Sequence, residues 1–216
     1  MSGRLRCAAC LRPKNGCICH WITPVAQQVE VLILQHPLEA DHPKGTARLL
    51  QLSLPSSRLL VGEVFDAGAW QPPGNTRHNL LLYPDQASDR GAGWPLPPVP
   101  PPDVLQDPSQ LRLIVPDGSW RKSRKLLHLN PALQQLPRLS LQELPASSYR
   151  IRRAHRPDQL STLEAVCAAL AQLEGGEAPF QPLLRAFDGF VAQQMAFSSG
   201  CQSHRRNWPS ALVRRA

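Results

Sequence analysis

An α/β fold with a largely parallel sheet flanked by helices, preceded by a small cysteine-rich module, is predicted by three observations in this 216-residue chain. Short apolar runs bounded by turn residues alternate with segments of helical periodicity, the pattern of successive βα units. The runs are nearly continuous rather than alternating, as expected of strands covered on both faces. Four cysteines crowd the first nineteen residues as Cys7-x2-Cys10-x6-Cys17-x-Cys19.

The elements follow in order. A Cys-x2-Cys pair turns back to present two sulfurs to one ion, and a second close pair completes a tetrahedral thiolate shell, so Cys7, Cys10, Cys17 and Cys19 are read as ligands of a structural zinc. Disulfides compete with that reading, but the N-terminus shows no secretory apolar run, and Cys17-x-Cys19 is poorly spaced to bridge within itself. Four thiolates saturate the ion, which leaves His20 a bystander and no open position for water. Residues 29–35 (VEVLILQ), 59–65 (LLVGEVF), 78–83 (HNLLLY) and 111–115 (LRLIV) read as buried strands, with a further short one at 139–144. Residues 46–54, a segment beginning at Trp120, 161–174 and 183–197 read as helices, the third opened by the capping box Ser161-x-x-Glu164. The stretch 95–102, proline at six of eight positions, fits neither helix nor central strand and reads as part of a surface insertion over 94–102. The domain reading is therefore a zinc module at 1–22, a main domain at 23–200 and a basic tail at 201–216. Cys167 reads as a buried small hydrophobe and Cys201 as an exposed thiol without a role.

Charge narrows the partner class. The net charge is +8 and the pI about 9.7, and no apolar run is long enough for a membrane span. Between Trp120 and Arg156 there are nine Lys or Arg against the single acid Glu143, and the tail adds Arg205, Arg206, Arg214 and Arg215 with no acid. Clusters of this kind neutralise phosphates and release counterions, which points to nucleic acid. A solvated helix face and a frayed tail are the alternative.

Three strand ends carry polar residues: His36-Pro37-x-Glu39, Tyr83-Pro84-Asp85, and Pro116-Asp117-Gly118-Ser119-Trp120. Ligands of open α/β sheets bind at the carboxyl ends of strands, so these ends predict one crevice. Asp117 is the carboxylate placed to take a proton or hold a cationic ligand. Gly118 allows close backbone approach, Ser119 is placed to cap a helix, and Trp120 offers a stacking plane. Taken alone, Asp117-Gly118 is an ordinary turn and Trp120 an ordinary core aromatic.

Together these segments resemble the DTW-domain family. The resemblance rests on the arrangement Cys7 to Cys19 with Arg12 and Pro13, on His36-Pro37-x-Glu39, on Asp117-Gly118-Ser119-Trp120, and on Tyr149-Arg-Ile-Arg152 leading to Leu160-Ser-Thr-Leu-Glu-Ala165. It runs from about residue 7 to 197. The chain departs at one place, with Ser119 where the signature Asp-x-Thr-Trp has Thr, which keeps the hydroxyl.

The resemblance implies a knotted SPOUT-like fold and a tRNA-uridine aminocarboxypropyltransferase. Such an enzyme moves the 3-amino-3-carboxypropyl group of S-adenosylmethionine to uridine N3 and releases 5′-methylthioadenosine. It implies Asp117 as general base or as the ligand of the substrate amino group. For the donor it suggests Leu82, Tyr83, Pro84, Gly118, Ser119, Trp120, Ser161 and Thr162, with Arg152 or the helix amides near Thr162 meeting the methionine carboxylate. Arg121, Lys122, Arg124, Lys125, Arg150, Arg153 and Arg156 would meet the tRNA backbone, and Trp120 would also serve as a plane for a flipped uridine. Arg4, Arg6, Arg12 and Lys14 would extend that basic surface from the zinc knuckle. A cytoplasmic monomer with no membrane and no obligate protein partner is expected. The rival readings are a SPOUT-type tRNA methyltransferase and a non-catalytic zinc-bearing RNA-binding module.

Overall fold

The strand β1 (Glu30–Gln35) organises the molecule, because both of its faces and both of its edges are covered. The computed structural model describes residues 5–84, 93–141 and 160–206, the last nine as helix backbone alone. Five strands form one sheet in the order β2-β1-β4-β3-β5, every pair parallel. β2 is Ser57–Val61, β3 His78–Leu82, β4 Leu111–Asp117 and β5 Arg138–Leu139. The helices are α1 (Pro37–Ala40), α2 (Ala47–Ser53), α3 (Trp120–Leu129), α4 (Pro131–Gln134), α5 (Thr162–Glu174) and α6 (Gln181–Arg206).

Successive strand residues point to opposite faces, and the sequence loads both. Val31 and Ile33 of β1 and Leu111, Leu113 and Val115 of β4 pack with Leu49 and Leu50 of α2, Leu163, Val166 and Leu170 of α5, and Phe187 and Phe190 of α6. Leu32, Leu34 and Ile114 face the other way, against Leu127 and Leu133 of α3 and α4, with Trp70 and Tyr83. The predicted three-layer α/β architecture is what forms. Cys167 lies in the first core as read, its thiol pushed up to about 12 by burial.

The predicted elements sit where expected, with shifts that have physical causes. β2 starts two residues and ends four residues earlier than read and is an edge strand, so its Val61 is half exposed rather than buried. It stops where the Gly62 N–H donates to the Gln35 carbonyl, and the chain then turns to bring Glu63 over β1. Of the expected 139–144 strand only Leu139 is strand, together with Arg138 before it; Ser140 and Leu141 are not strand, and 142–144 lie outside the described residues. α6 continues beyond residue 197 to Arg206, into the segment read as tail. Residues 94–102 form neither helix nor strand, with Leu96 and Val99 exposed.

At the amino end of the sheet, Glu30 receives Arg112 at 2.9 Å, Arg77 at 3.0 Å and Arg58 at 3.3 Å. Arg112 is buried in the central strand β4 and also bonds the Trp70 carbonyl. Burial raises the Glu30 pKa, but Arg112, with Arg58 and Arg77 behind it, outweighs this and holds it below the usual carboxylate value.

Candidate active site

The chain leaves β1 toward β2 on one side and leaves β4 toward β5 on the other, so the gap between the carboxyl ends of β1 and β4 is the topological switch point of the sheet. Pro116 ends the pairing on the neighbouring side. The Asp117 carbonyl accepts from the His36 N–H on the β1 side, so the backbone of Pro116 faces β3, where its missing donor would have extended the ladder. Pairing of β3 with β4 accordingly ends at Leu81 opposite Ile114, whereas β1 stays paired to β4 through Gln35 opposite Asp117.

Asp117 is buried at this switch point. Its Oδ2 accepts from the Gln35 amide at 2.8 Å, and its Oδ1 accepts from the Thr162 hydroxyl at 2.5 Å. Strand register dictates the first contact and the start of α5 the second, so the carboxylate is fixed from two elements. Gly118 follows where a Cβ would stand 2.9 Å from the Lys122 Cβ and 3.7 Å from the His36 Cβ, which only a glycine avoids without displacement. Ser119 occupies the N-cap position of α3, yet its side chain makes no capping bond, contrary to the expected use of its hydroxyl.

Trp120 is 41% exposed and stacks on buried Tyr83, centroids 5.1 Å apart and planes 9° from parallel. The Arg138 guanidinium lies 5.3 Å from the Tyr83 centroid. Tyr83 is thus the core aromatic of the pair, and Trp120 keeps ring surface for a ligand. Of the other donor candidates, Leu82 is half-buried and Pro84 exposed at the β3 exit. The amides of Ser161, Leu163 and Glu164 at the α5 start are already committed, which disfavours them for a carboxylate. Ser161 and Glu164 complete the predicted capping box, and the Leu163 N–H donates to the Thr46 hydroxyl. The Glu164 carboxylate adds negative charge there. Asp85, Arg150, Arg152, Arg153 and Arg156 lie outside the described residues.

The basic helix α3 is less open than its sequence suggests. Lys122 meets buried Glu39 at 2.8 Å and Lys125 meets Glu63 at 2.8 Å. Arg124 lies over the Trp94 ring at 5.7 Å, while Arg121 is exposed. Glu63 also receives buried His36, whose Nε2 is 2.9 Å away and whose Nδ1 accepts from the Leu38 N–H. Lys125 and His36 hold the Glu63 pKa below its ordinary value, Lys125 the more strongly. The acid side of the His36-Pro37-x-Glu39 segment therefore clamps α3 onto β1.

The four cysteine sulfurs all lie within 4.8 Å of one another, with Cys7 and Cys19 3.5 Å apart and Cys10 and Cys17 3.8 Å apart. These spacings are far beyond a disulfide bond. A zinc with thiolates at about 2.3 Å sets its sulfurs about 3.8 Å apart, so the cluster fits a tetrahedral structural site. The turn is built for it. The Cys7 N–H donates to the Arg12 carbonyl, the Leu11 N–H donates to the Cys7 carbonyl, and Leu11 adopts φ 60°, left-handed for a residue with a side chain. The amides of Cys10 and Ala9 lower the Cys7 pKa to about 6, favouring the thiolate. His20 leans on Trp21 and is not among the ligands.

The knuckle is welded to the main domain. Arg12 donates to the Pro43 carbonyl at 2.5 Å and the Gly45 carbonyl at 2.7 Å and lies over Phe190, while Arg6 pairs with Asp41. The expectation that Arg6 and Arg12 simply extend a basic surface is therefore corrected: they are anchors. Trp21 rests on α6 where Gly189 leaves room, since a Cβ there would fall 2.2 Å from its ring.

A family model described as "DTW domain" matches residues 4–195. The chain belongs to the DTW domain family. It is 30% identical over 210 residues to the tRNA-uridine aminocarboxypropyltransferase 2 of Drosophila melanogaster, covering 94% of this chain and 79% of that protein. The mouse protein of the same name is 28% identical over 89% of this chain, and tRNA-uridine aminocarboxypropyltransferase A of Arabidopsis thaliana 28% over 56%. This chain spans 64% of the mouse relative and 49% of the plant one. No solved structure matches it.

The DTW signature acquires a geometry here. Asp117 is the end of β4, Gly118 the point where the backbone passes close against Lys122 of α3 and His36, and Trp120 the first residue of α3. Two partners were not singled out from sequence: Gln35 and Glu63. Gln35 is a polar residue closing an apolar strand, and that break in a continuous run was the available signal. Glu63 fell inside a segment read as strand, so its position in a turn was hidden.

Proposed function

We propose that this protein transfers the 3-amino-3-carboxypropyl group of S-adenosylmethionine to N3 of a uridine in tRNA, with release of 5′-methylthioadenosine. The observation that carries the reading is Asp117, buried at the switch point with each carboxylate oxygen fixed by a donor from a different element. Relatives across most of the chain carry the tRNA-uridine aminocarboxypropyltransferase name, which supports the reaction class.

S-adenosylmethionine supplies a sulfonium whose Cγ–S bond breaks with its electron pair passing to sulfur. Asp117 takes the N3 proton as N3 bonds to that carbon, and Gln35 and Thr162 hold the accepting oxygens in place. Gly118 admits the reacting groups against the backbone, and Trp120 offers its ring to the donor's adenine. Leu82, Tyr83 and Pro84 at the β3 exit and Ser161 before α5 complete the donor site, and Arg152 meets the methionine carboxylate. Arg121 and Arg124 with residues 150, 153 and 156 hold the tRNA backbone; Lys122 and Lys125 join them where phosphate displaces Glu39 and Glu63. A zinc on Cys7, Cys10, Cys17 and Cys19 has no open position and serves to fix the knuckle.

The knotted SPOUT-like class remains part of this reading, supported by the all-parallel order β2-β1-β4-β3-β5. Residues 142–159, which join β5 to α5, fall outside the described set. No described helix is long and apolar enough to cross a membrane. A cytoplasmic monomer is the matching proposal.

The test is incubation of the protein with unmodified tRNA and S-adenosylmethionine, with mass spectrometry of the adenosine product. 5′-Methylthioadenosine in step with modified uridine supports the transfer. S-adenosylhomocysteine would mean methyl transfer, and neither product would leave an RNA-binding module. Metal analysis of the same sample is expected to give about one zinc per chain, a closed site being four-coordinate.

A further inference from the structure

A cleft of about 610 Å³ separates the cysteine knuckle from the carboxyl ends of β1 and β2, on the same face of the sheet as Asp117. It lies apart from Trp120 and Tyr83, and nothing described above uses it. Its volume falls within the range of about 300–1,000 Å³ usual for small-molecule sites.

Three features of the cleft converge on one occupant. Its inner end is Gln35, buried, which donates to Asp117 at 2.8 Å, so the cleft stops one side chain short of that carboxylate. Its lining includes two exposed apolar side chains, Leu11 of the knuckle and Phe197 of α6, which are 50% and 46% exposed. Leu11 reaches this position through the left-handed backbone at φ 60°, a conformation that disfavours a side chain and that the knuckle turn imposes. Its lining also holds Arg48, whose hydrogen bonds run to the neutral Ala9 carbonyl and the Gln51 amide oxygen and whose buried Nε has no hydrogen-bond partner, while the acids Glu39 and Asp41 of the same lining are paired with Lys122 and Arg6. Exposed apolar side chains, an arginine with an unpartnered Nε and a polar residue bonded to a carboxylate match a nucleotide: planar base, phosphate, and a hydrogen-bonding base edge.

We propose that this cleft receives the acceptor nucleotide of the RNA, entering from the knuckle side, with its phosphate toward Arg48 and its base edge led to Gln35 and Asp117. The inference rests on the aminocarboxypropyl reading for its chemistry, and it assigns the two substrates to opposite sides of Asp117. The donor approaches by Gly118 and Trp120, and the acceptor by Gln35. The knuckle then does more than stabilise the fold, because it supplies one wall of the acceptor site.

Gly16 and Val61 line the cleft and tolerate enlargement, since a Cβ on Gly16 would meet nothing within 4 Å and Val61 is half exposed. Gly16→Phe and Val61→Trp are expected to lower kcat/KM for tRNA by about tenfold or more, while zinc content and the KM for S-adenosylmethionine stay at wild-type values. A second readout needs no turnover: tRNA substituted with 4-thiouridine is irradiated with the full chain and the adducts are mapped. Adducts at Leu11, Gly16 or residues 40–42 support the cleft. Adducts confined to α3, or wild-type kinetics in both filled variants, overturn it. Cleft adducts without any 5′-methylthioadenosine would instead sink the transfer reading and leave the binding site standing.

Discussion

At the amino end of the sheet Glu30 is met by three arginines; at the carboxyl end of the same strand pair Asp117 is met by the amide of Gln35 and the hydroxyl of Thr162. Glu30 opposes Arg112 in the register and Gln35 opposes Asp117, so β1 and β4 carry both sites. Cations cancel the charge of a carboxylate and convert it into a fastening. Gln35 and Thr162 orient a carboxylate without cancelling its charge, which suits chemistry.

The sharpest break of this contrast is Asp117→Asn. It is expected to lower kcat by roughly 10²–10⁴-fold with a change in melting temperature under about 3 °C, the order of 1 kcal/mol in a domain this size. Equal loss of fold and activity would make Asp117 another fastening.

Glu30→Gln should do the reverse. Buried Arg112 loses its counter-charge, at a cost of about 3 kcal/mol, or roughly 6–12 °C, while kcat of the folded fraction is unchanged. The pH dependence sharpens this. The folded pKa of Glu30 is depressed, so its contribution is complete above the ordinary carboxylate pKa and is lost as pH falls through the lower folded value. The stability gap between wild type and variant is therefore expected to close in acid; a gap that persists there would assign the effect to packing.

Much of this contrast was legible before any coordinates. Alternating apolar runs and helical segments gave the layers, because strands such as 29–35 and 111–115 are apolar on both faces. Asp117 was marked by its place after an apolar run and before a helix. The partners were not legible, since Gln35 and Thr162 come from segments 82 and 45 residues away, and sequence spacing carries no register. The charge of α3 misled for the same reason: Glu39 and Glu63, which pair with Lys122 and Lys125, are distant in the chain.

Thr162→Val tests the Oδ1 contact alone. Losing one hydrogen bond to a charged group costs about 1.5–3 kcal/mol at most, so kcat should fall about tenfold or somewhat more with little change in the KM for tRNA. An unaltered kcat would remove Thr162 from the positioning of Asp117. The smallest effect is expected for Trp120→Leu. It loses the stack on Tyr83, about 0.5–1.5 kcal/mol, and should weaken S-adenosylmethionine binding several-fold while lowering the melting temperature by only about 1–6 °C. A large stability loss would instead put Trp120 with the core.

Pro116 has one more consequence, for how the chain finds its pairing. A parallel strand that slips by two residues keeps every side chain on its proper face, so burial alone does not forbid the error. In β4 such a slip toward β3 would set Pro116 at a paired position, leaving an acceptor on β3 without its donor, at about 1–3 kcal/mol if buried. The proline thus acts as a stop against that slip and favours the alignment in which Asp117 arrives opposite Gln35.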